Sequence, residues 1–163
     1  TGDNQVLLGN TAITEIRAQV TGITAYSDAR YKTNVSNNVK GLDFITRLSP
    51  VTYNVRPLVL HKIWGTPDSV VNKMDHSEIE NIRQIGFLAQ EVEKAAREAG
   101  FDFTGIDKPK SEKEVYSLRY TDFIMPLVQS VKELNAKNQA LESQNADLKN
   151  ELNAMKALIA EKQ

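Results

Sequence analysis

The chain has 163 residues, of which 40% are hydrophobic and 25% charged, a composition that fits one folded domain plus an extended segment and excludes a wholly disordered protein. Its 20 basic and 21 acidic side chains give a formal net charge of -1, so no overall charge draws it to nucleic acid or to a membrane surface. Without cysteine it has no disulfide, thiolate zinc site or thiol nucleophile, and no apolar run approaches the roughly 20 residues that span a bilayer.

The first segment, residues 1–26, is rich in threonine, glycine and β-branched residues in short alternating bursts. This pattern predicts strands, but the segment holds few large apolar side chains for a core. It is either an ordinary hairpin or the end of an intertwined stalk, in which strands from neighbouring chains complete the packing. Because the sequence opens at Thr1 without methionine, we expect it to be cut from a longer protein.

The stretch AYSDARYK, residues 25–32, contains the residue types of a serine/lysine dyad. In such a dyad, Lys32 as a neutral amine would remove the hydroxyl proton of Ser27. A separation of five residues places two side chains about 140° apart on a helix and on opposite faces of a strand, so they meet only if the backbone turns. In the alternative interpretation, Ser27 or Asp28 caps a surface turn and Lys32 is solvated.

Catalysis makes a further demand on Lys32, because a solvated amine is almost wholly protonated at neutral pH. Burial, together with a like charge such as Arg30, would favour the neutral form, whereas pairing with Asp28 would oppose it. A disordered monomer offers no such environment. We therefore expect any activity to depend on folding and assembly.

Residues 33–120 predict a compact mixed domain. VKGLDFITRL, residues 39–48, is helix-like and carries on one face Leu42, Ile45 and Leu48. VTYNV, residues 51–55, alternates as a strand does, and LVLHKIW, residues 58–64, is its candidate partner. The polar stretch from 65 to about 80 predicts a loop.

The second half of this domain opens with IGFLAQEVEKAAREAG, residues 85–100. A short strand ending near Leu88 leads into a helix that ends at Gly100 and repeats four apolar residues at helical spacing, Val92, Ala95, Ala96 and Ala99. FDFTGI and VYSLRY, residues 101–106 and 115–120, predict two further strands.

Other candidate functional residues have simpler interpretations. Gln90 and Glu91 lie where a strand meets a helix, and an amino-terminal cap with Glu91 in the first turn is favoured over direct catalysis. His61 and His76 lack a partner at metal-ligand spacing, which predicts surface or loop histidines and no metal site. No cofactor or small-molecule ligand is predicted. Four aromatic residues are predicted to be core: Tyr53, Trp64, Phe87 and Tyr120.

The carboxyl-terminal third predicts a coiled coil. Apolar residues recur there at steps of three and four, through Ile124, Leu127, Val131, Leu134, Leu141, Leu148, Leu152, Met155 and Ile159. With leucines at the d positions, Asn138 and Asn145 fall at a positions, where polar side chains lower stability but fix register. The alternative is an amphipathic helix that packs on its own domain. Residues 135–163, however, hold too few other apolar positions to form a face for such packing. We expect self-association.

Pro126 lies near the start of this helix and cannot donate a helical hydrogen bond. Either the helix begins there, with Thr121 and Asp122 capping a short preceding turn, or it kinks at this residue.

Five blocks in this order resemble the intramolecular chaperone domain of phage endosialidase tailspikes and tail fibres: SDARYK, LDFITRLSPVTYNV, IGFLAQEVEKA, LRYTDFIMPLVQSVKELN and a terminal coiled coil. The resemblance spans residues 27 to about 140. Similar modules occur in bacterial surface proteins with fibre-like stalks and in the myelin regulatory factor, a membrane-bound transcription factor.

The resemblance implies a temporary clamp that trimerises through its helices, helps an upstream β-rich stalk to fold and then releases itself by cutting its own chain. Carried onto this sequence, the cleaved bond is Tyr26-Ser27, the nucleophile is Ser27 and the general base is Lys32. Asp28, Arg30, Gln90 and Glu91 are candidate supporting residues.

These observations predict an α+β fold, in which a small mixed domain follows a β-rich stalk end and precedes a long trimeric coiled-coil helix. The predicted boundaries are 1–26 for the stalk end, 27–122 for the self-processing domain and 123–163 for the helix. The expected partners are two further copies and the chain's own stalk, with no nucleic acid or membrane. The expected location is a virion tail fibre or a bacterial cell surface. The rival interpretations are a trimerisation module that never cuts and the processing domain of a membrane-bound transcription factor.

Overall fold

The computed structural model describes residues 6, 8, 11, 13–20 and 22–161. Its contacts define two compact units. The first comprises the described residues up to Asn37 together with Ser49–Val92 and Ile106–Leu118, and the second comprises Asn38–Leu48, Glu93–Gly105 and the described residues from Arg119 onward.

The fold is mixed, as predicted, with a long carboxyl-terminal helix and short antiparallel strand pairs. In chain order the helices are α1 (Leu42–Ile45), α2 (Pro57–Trp64), α3 (Asp68–Val71), α4 (Ser77–Asn81), α5 (Ala89–Glu98) and α6 (Ile124–Ala160). The strands are β1 (Val51–Tyr53), β2 (Gln84–Gly86), β3 (Ile106–Asp107) and β4 (Ser117–Leu118). Two 3₁₀ turns lie at Ala29–Tyr31 and Tyr120–Phe123.

The strands form two small antiparallel pairs. β1 pairs with β2, so that Val51 lies opposite Gly86, and β3 pairs with β4, so that Ile106 lies opposite Leu118. The strand predicted in VTYNV and the one predicted just before Leu88 are thus confirmed and are each other's partners. The strand predicted in VYSLRY is confirmed over Ser117–Leu118, whereas only the last residue of FDFTGI, Ile106, lies in a strand.

The prediction that LVLHKIW is a strand is wrong, because these residues form most of α2. Pro57 is the first residue of the helix, where its missing N–H costs nothing. Gly65 ends the helix with a φ of 70°, and the N–H of Thr66 donates to the carbonyl of His61 at 3.0 Å. A left-handed glycine with this bond is a Schellman ending. These flanking residues, rather than the apolar run itself, indicate the helix.

The loop predicted from residue 65 to about residue 80 contains two short helices, α3 and α4. Pro67 immediately precedes α3. The carboxylate of Asp75 accepts the backbone N–H of Ser77, the first residue of α4, at 2.9 Å. Such helix-start signals operate in polar sequence as well as in apolar sequence.

An aromatic cluster forms the core of the second unit. Phe44 is fully buried, and its ring centroid lies 5.3 Å from that of Phe101 and 4.9 Å from that of Phe103. Phe103 in turn lies 4.7 Å from Phe123. The predicted apolar face of Leu42, Ile45 and Leu48 is only partly buried, because α1 stops at Ile45 and turns Phe44 into the cluster.

The helix predicted between Leu88 and Gly100 is confirmed as α5. Val92, Ala95, Ala96 and Ala99 are all buried. Gly100 follows with a φ of 59°, and the N–H of Phe101 donates to the carbonyl of Ala96 at 2.9 Å, which is again a Schellman ending.

The long helix α6 has 37 residues and passes through Pro126 at its third position. The first four N–H groups of a helix have no partner within it, so proline is tolerated there. The hydroxyl of Ser130 donates to the Pro126 carbonyl at 2.9 Å. A helix start near Pro126 is therefore right. The predicted short turn precedes it at Tyr120–Phe123, but Thr121 and Asp122 lie inside this turn and do not cap it, and the carboxylate of Asp122 accepts from Thr104 at 3.2 Å.

The heptad seam of α6 is exposed in the single chain. Exposure of its apolar residues ranges from 47% at Leu134 to 64% at Val131. No helix in the described ranges is both long enough and apolar enough to cross a membrane.

The described residues of the predicted stalk end form no strand within one chain. Predictions for residues 1–5, 7, 9, 10, 12 and 21 lie outside the described residues. Packing with strands of neighbouring chains stays a prediction.

Two of the four predicted core aromatics are wrong. Trp64 and Tyr120 are substantially exposed, while Tyr53 and Phe87 are partly buried. Trp64 is the last residue of α2, and Tyr120 begins the 3₁₀ turn before α6, so both lie at the ends of elements rather than in the middle of packed faces.

Candidate active site

The chain reverses between Ser27 and Lys32. The carboxylate of Asp28 accepts the backbone N–H of Arg30 at 2.8 Å, which caps the 3₁₀ turn Ala29–Tyr31. The N–H of Lys32 then donates to the carbonyl of Ala29 at 3.2 Å and closes the turn. An Asp at this position is a common turn starter because its short carboxylate reaches the backbone two residues on.

This turn brings together the two side chains of the predicted dyad. The Lys32 ammonium donates a hydrogen bond to the Ser27 hydroxyl oxygen, with Nζ and Oγ 2.6 Å apart. Both residues are exposed in the single chain. The distance suits proton transfer, but with the proton on nitrogen the lysine is a donor and not yet a base.

Asp28 and Arg30 form a bidentate ion pair beside the dyad. The guanidinium Nε and Nη2 contact the carboxylate oxygens at 3.0 Å and 2.6 Å. The side-chain bonds from Arg30, and then its backbone N–H, lower the pKa of Asp28 below its ordinary value. Asp28 thus pairs with Arg30 and not with Lys32, and it offsets the positive charge that we expected Arg30 to present to the amine.

Tyr31 contacts the backbone on the other side of the predicted cleavage point. Its hydroxyl donates a hydrogen bond to the carbonyl oxygen of Tyr26. Tyr31 is not among the predicted site residues. The signal that reveals it is spacing, because Tyr31 follows Tyr26 at the same five-residue interval by which Lys32 follows Ser27.

Gln90 and Glu91, the other candidate supporting residues, lie in the first turn of α5. An acidic residue at this position interacts favourably with the positive end of the helix dipole, in line with the cap interpretation. In the part of the chain that is described, no hydrogen bond joins either side chain to Ser27 or Lys32.

The prediction of surface or loop positions is wrong for His61, which lies in α2, whereas His76 lies in the loop just before α4, although not at the surface. Both rings are buried, with their centroids 5.4 Å apart. His61 contacts the hydroxyl oxygens of Thr11 and Thr66 at 2.7 Å and 3.2 Å, whereas neither ring nitrogen of His76 has a partner among the described residues. The contact with Thr11 spans 50 residues, so sequence proximity could not reveal it. Within the described ranges no group of three or more metal-binding side chains comes together.

An open apolar cleft of about 500 Å³ lies in the first unit along α2. Its lining includes Val59, Leu60 and Ile63 from the helix, but neither Ser27 nor Lys32. The Ser27–Lys32 pair therefore lies on open surface and not in this cleft.

Comparison with known proteins identifies the segment that contains this turn. A model of the peptidase family described as chaperone of endosialidase matches residues 27–101. Searches of the curated proteins and of the solved structures found no match. The family combines chaperone and peptidase roles and is associated with phage tails. The predicted resemblance to the chaperone of endosialidase family is thus confirmed over residues 27–101, which contain three of the five sequence blocks.

Proposed function

We propose that this chain trimerises through α6, assists the folding of the stalk that precedes it, and then releases itself by cutting the bond between Tyr26 and Ser27. The 2.6 Å contact between Lys32 Nζ and Ser27 Oγ is the observation that carries the proposal. The start of the family match at residue 27 is consistent with a releasable domain that begins at the serine.

In the proposed reaction Ser27 Oγ attacks the carbonyl carbon of Tyr26, to which its own backbone nitrogen is bonded. Attack closes a five-membered ring, and loss of the nitrogen leaves an ester that water hydrolyses. The hydroxyl proton passes to Lys32 and then to the departing nitrogen. One turnover per chain is enough, so positioning matters more than speed.

Assembly is the step that would turn Lys32 into a base. In the single chain Lys32 is exposed, and water stabilises a protonated amine. Neighbouring chains that cover the turn would remove that water. The exposed seam of α6 supports such an assembly, because leucines at d with asparagines at a need facing helices.

The exposure of Ser27 and Lys32 in one chain favours a second candidate, a trimerisation module that shares this domain but never cuts. It differs from the first only in the chemistry at residue 27.

Mass spectrometry of freshly purified protein, combined with light scattering, tests the proposal. We expect a trimer from which a fragment starting at Ser27 appears with time. Ser27→Ala should abolish that fragment without changing the trimer. Lys32→Arg keeps the positive charge but cannot supply a neutral base, so it should also stay whole. A verified wild-type trimer whose mass never changes would leave only the non-cutting module.

A further inference from the structure

The carbonyl group that would be attacked already has a hydrogen-bond donor. Tyr31 Oη donates to the carbonyl oxygen of Tyr26. We propose that Tyr31 is a catalytic residue that stabilises the negative charge developing on this oxygen during self-cleavage. The inference rests on the function proposed above and assigns the oxyanion donor of that reaction.

The turn provides both contacts at once. Lys32 and Tyr31 are consecutive, and each reaches back five residues, to Ser27 and Tyr26. One 3₁₀ turn therefore holds the nucleophile with one side chain and the electrophile with the next. Such preorganisation lowers a barrier because the donor need not reorient as charge develops.

Tyr31 suits this role better than the nearby cation. Both carboxylate oxygens of Asp28 accept hydrogen bonds from the Arg30 guanidinium, so this cation is already paired. Among the described residues, the Tyr31 hydroxyl is the donor to the Tyr26 carbonyl oxygen. A phenol is neutral, so it polarises the carbonyl without adding a positive charge beside the amine that must be deprotonated.

The proposed step balances as follows. The Ser27 hydroxyl proton moves to Lys32 Nζ, a bond forms between Oγ and the Tyr26 carbonyl carbon, and the carbonyl electron pair moves to oxygen, where the Tyr31 hydroxyl holds it. Collapse breaks the bond from carbon to the Ser27 nitrogen, which takes the proton from Lys32. Water then hydrolyses the ester and yields the Tyr26 carboxylate and the free Ser27 hydroxyl.

Tyr31→Phe removes only the donor and keeps the ring. We expect the Ser27 fragment to appear about 10- to 100-fold more slowly, since loss of one oxyanion donor costs up to about 100- to 1,000-fold in buried sites and Tyr31 is 57% exposed in the single chain. Tyr31→Leu should be equally slow if the hydroxyl matters rather than the ring. Ser36→Ala, which deletes a hydroxyl at an exposed position nine residues after Ser27, should cut at the wild-type rate.

A spectroscopic measurement tests the contact independently of cleavage. In Ser27→Ala, residues 26 and 27 form the sole Tyr-Ala bond of the sequence. Carbon-13 carbonyl tyrosine with nitrogen-15 alanine therefore labels one peptide bond for NMR. Adding Tyr31→Phe should move that carbonyl resonance upfield, because a carbonyl that loses a hydrogen bond is less deshielded.

The outcomes separate the two proposals. Slow cutting by Tyr31→Phe in an intact trimer, together with the carbonyl shift, supports the role of Tyr31. Wild type and Tyr31→Phe cutting at equal rates would overturn this role and leave the self-cleavage proposal standing. A wild-type trimer that never cuts would overturn both proposals. A carbonyl resonance that does not move would show that the Tyr31 hydroxyl does not bind the Tyr26 carbonyl, and would overturn the role of Tyr31.

Discussion

At the scale of single residues, the candidate site depends on a capped turn. Asp28 holds the backbone N–H of Arg30 and also its guanidinium, so one carboxylate both starts the turn and neutralises a neighbouring charge. Without the turn, Ser27 and Lys32 would point in different directions, as their spacing alone indicates.

Asp28→Asn and Asp28→Ala separate these two roles. The asparagine side chain can still accept the Arg30 N–H, so we expect it to keep the turn and lose only the ion pair. Alanine loses both. Fragment formation followed by mass spectrometry should therefore be slowed more by Asp28→Ala than by Asp28→Asn, and equal rates would contradict a capping role.

The Asp28 interactions also predict an effect of pH. Because the pKa of Asp28 is lowered, the folded turn binds a proton more weakly than the unfolded chain does. Its stabilising contribution is present above the ordinary value of about 3.9 and is lost as pH falls through the lower folded value. Carboxyl NMR titration of uncut Ser27→Ala should place the Asp28 midpoint below that ordinary value, and a midpoint at or above it would argue against the pair.

The sequence identified the residue types of this site but not all their contacts. Ser27 and Lys32 were selected, and their meeting was conditional on a turn that Asp28 starts. Tyr31 was missed because its five-residue spacing from Tyr26 gains a meaning only once the turn is known to bring Ser27 and Lys32 together. His61 and His76 were predicted to be surface or loop residues, because a contact such as that of His61 with Thr11, 50 residues away, is not apparent in the sequence.

At the scale of elements, local signals were reliable where helix ends carry special residues. Gly100 marked the end of α5 correctly. The run in α2 was mistaken for a strand because short apolar runs fit either structure, and only Pro57 and Gly65 distinguish them. Phe44 was overlooked because its burial comes from Phe101, Phe103 and Phe123, far away along the sequence.

Phe44 is expected to be the most sensitive core position of the second unit. Its side chain is fully buried against aromatic neighbours. Phe44→Ala should therefore lower the free energy of unfolding by about 3–5 kcal/mol. Phe44→Leu fills part of the space and should cost less. Chemical denaturation at equal chain concentration measures both, and equal losses would mean that ring packing is not what stabilises this unit.

A contact between two helices predicts a second effect in the same unit. The Glu133 carboxylate of α6 accepts the backbone N–H of Leu42 at the start of α1, at 2.8 Å. This bond, followed by one from Gln129, lowers the pKa of Glu133. The contribution is present above the ordinary glutamate value of about 4.3 and is lost as pH falls through the folded value.

Glu133→Gln should therefore be less stable than wild type at neutral pH, and the difference should vanish in acid. Denaturation curves at several pH values measure this. Glu142→Gln, which removes a charge from an exposed position of the same helix, serves as the control. A stability difference that persists unchanged below pH of about 4 would show that charge at Glu133 is not the cause.

At the scale of the whole molecule, α6 presents a long row of apolar side chains that are exposed in one chain. At 1.5 Å per residue its 37 residues make a rod of about 55 Å. The coiled-coil pattern could be predicted from the sequence because it is periodic. The number of helices in the coiled coil depends on contacts between chains, which the sequence of one chain does not specify.

Leu141→Asp tests the seam directly. A charge at a d position would be buried without a partner, so we expect the variant to sediment as a monomer and to remain uncut. Ser143→Asp adds the same charge two residues later, at an outward-facing position, and should still assemble and cut. Analytical ultracentrifugation with mass spectrometry decides the case. A monomeric Leu141→Asp that cuts normally would disprove the dependence of cleavage on assembly.

Because the apolar seam of α6 is exposed in one chain, the time before cleavage should depend on chain concentration. If Lys32 is shielded from water only in the assembled complex, freshly made chains should show a lag before the first fragment appears. The lag should lengthen on dilution. At low concentration the chains would keep the chaperone domain, whereas at high concentration they would release it by cleavage. The helix would thus act as a timer that starts only when enough copies have gathered.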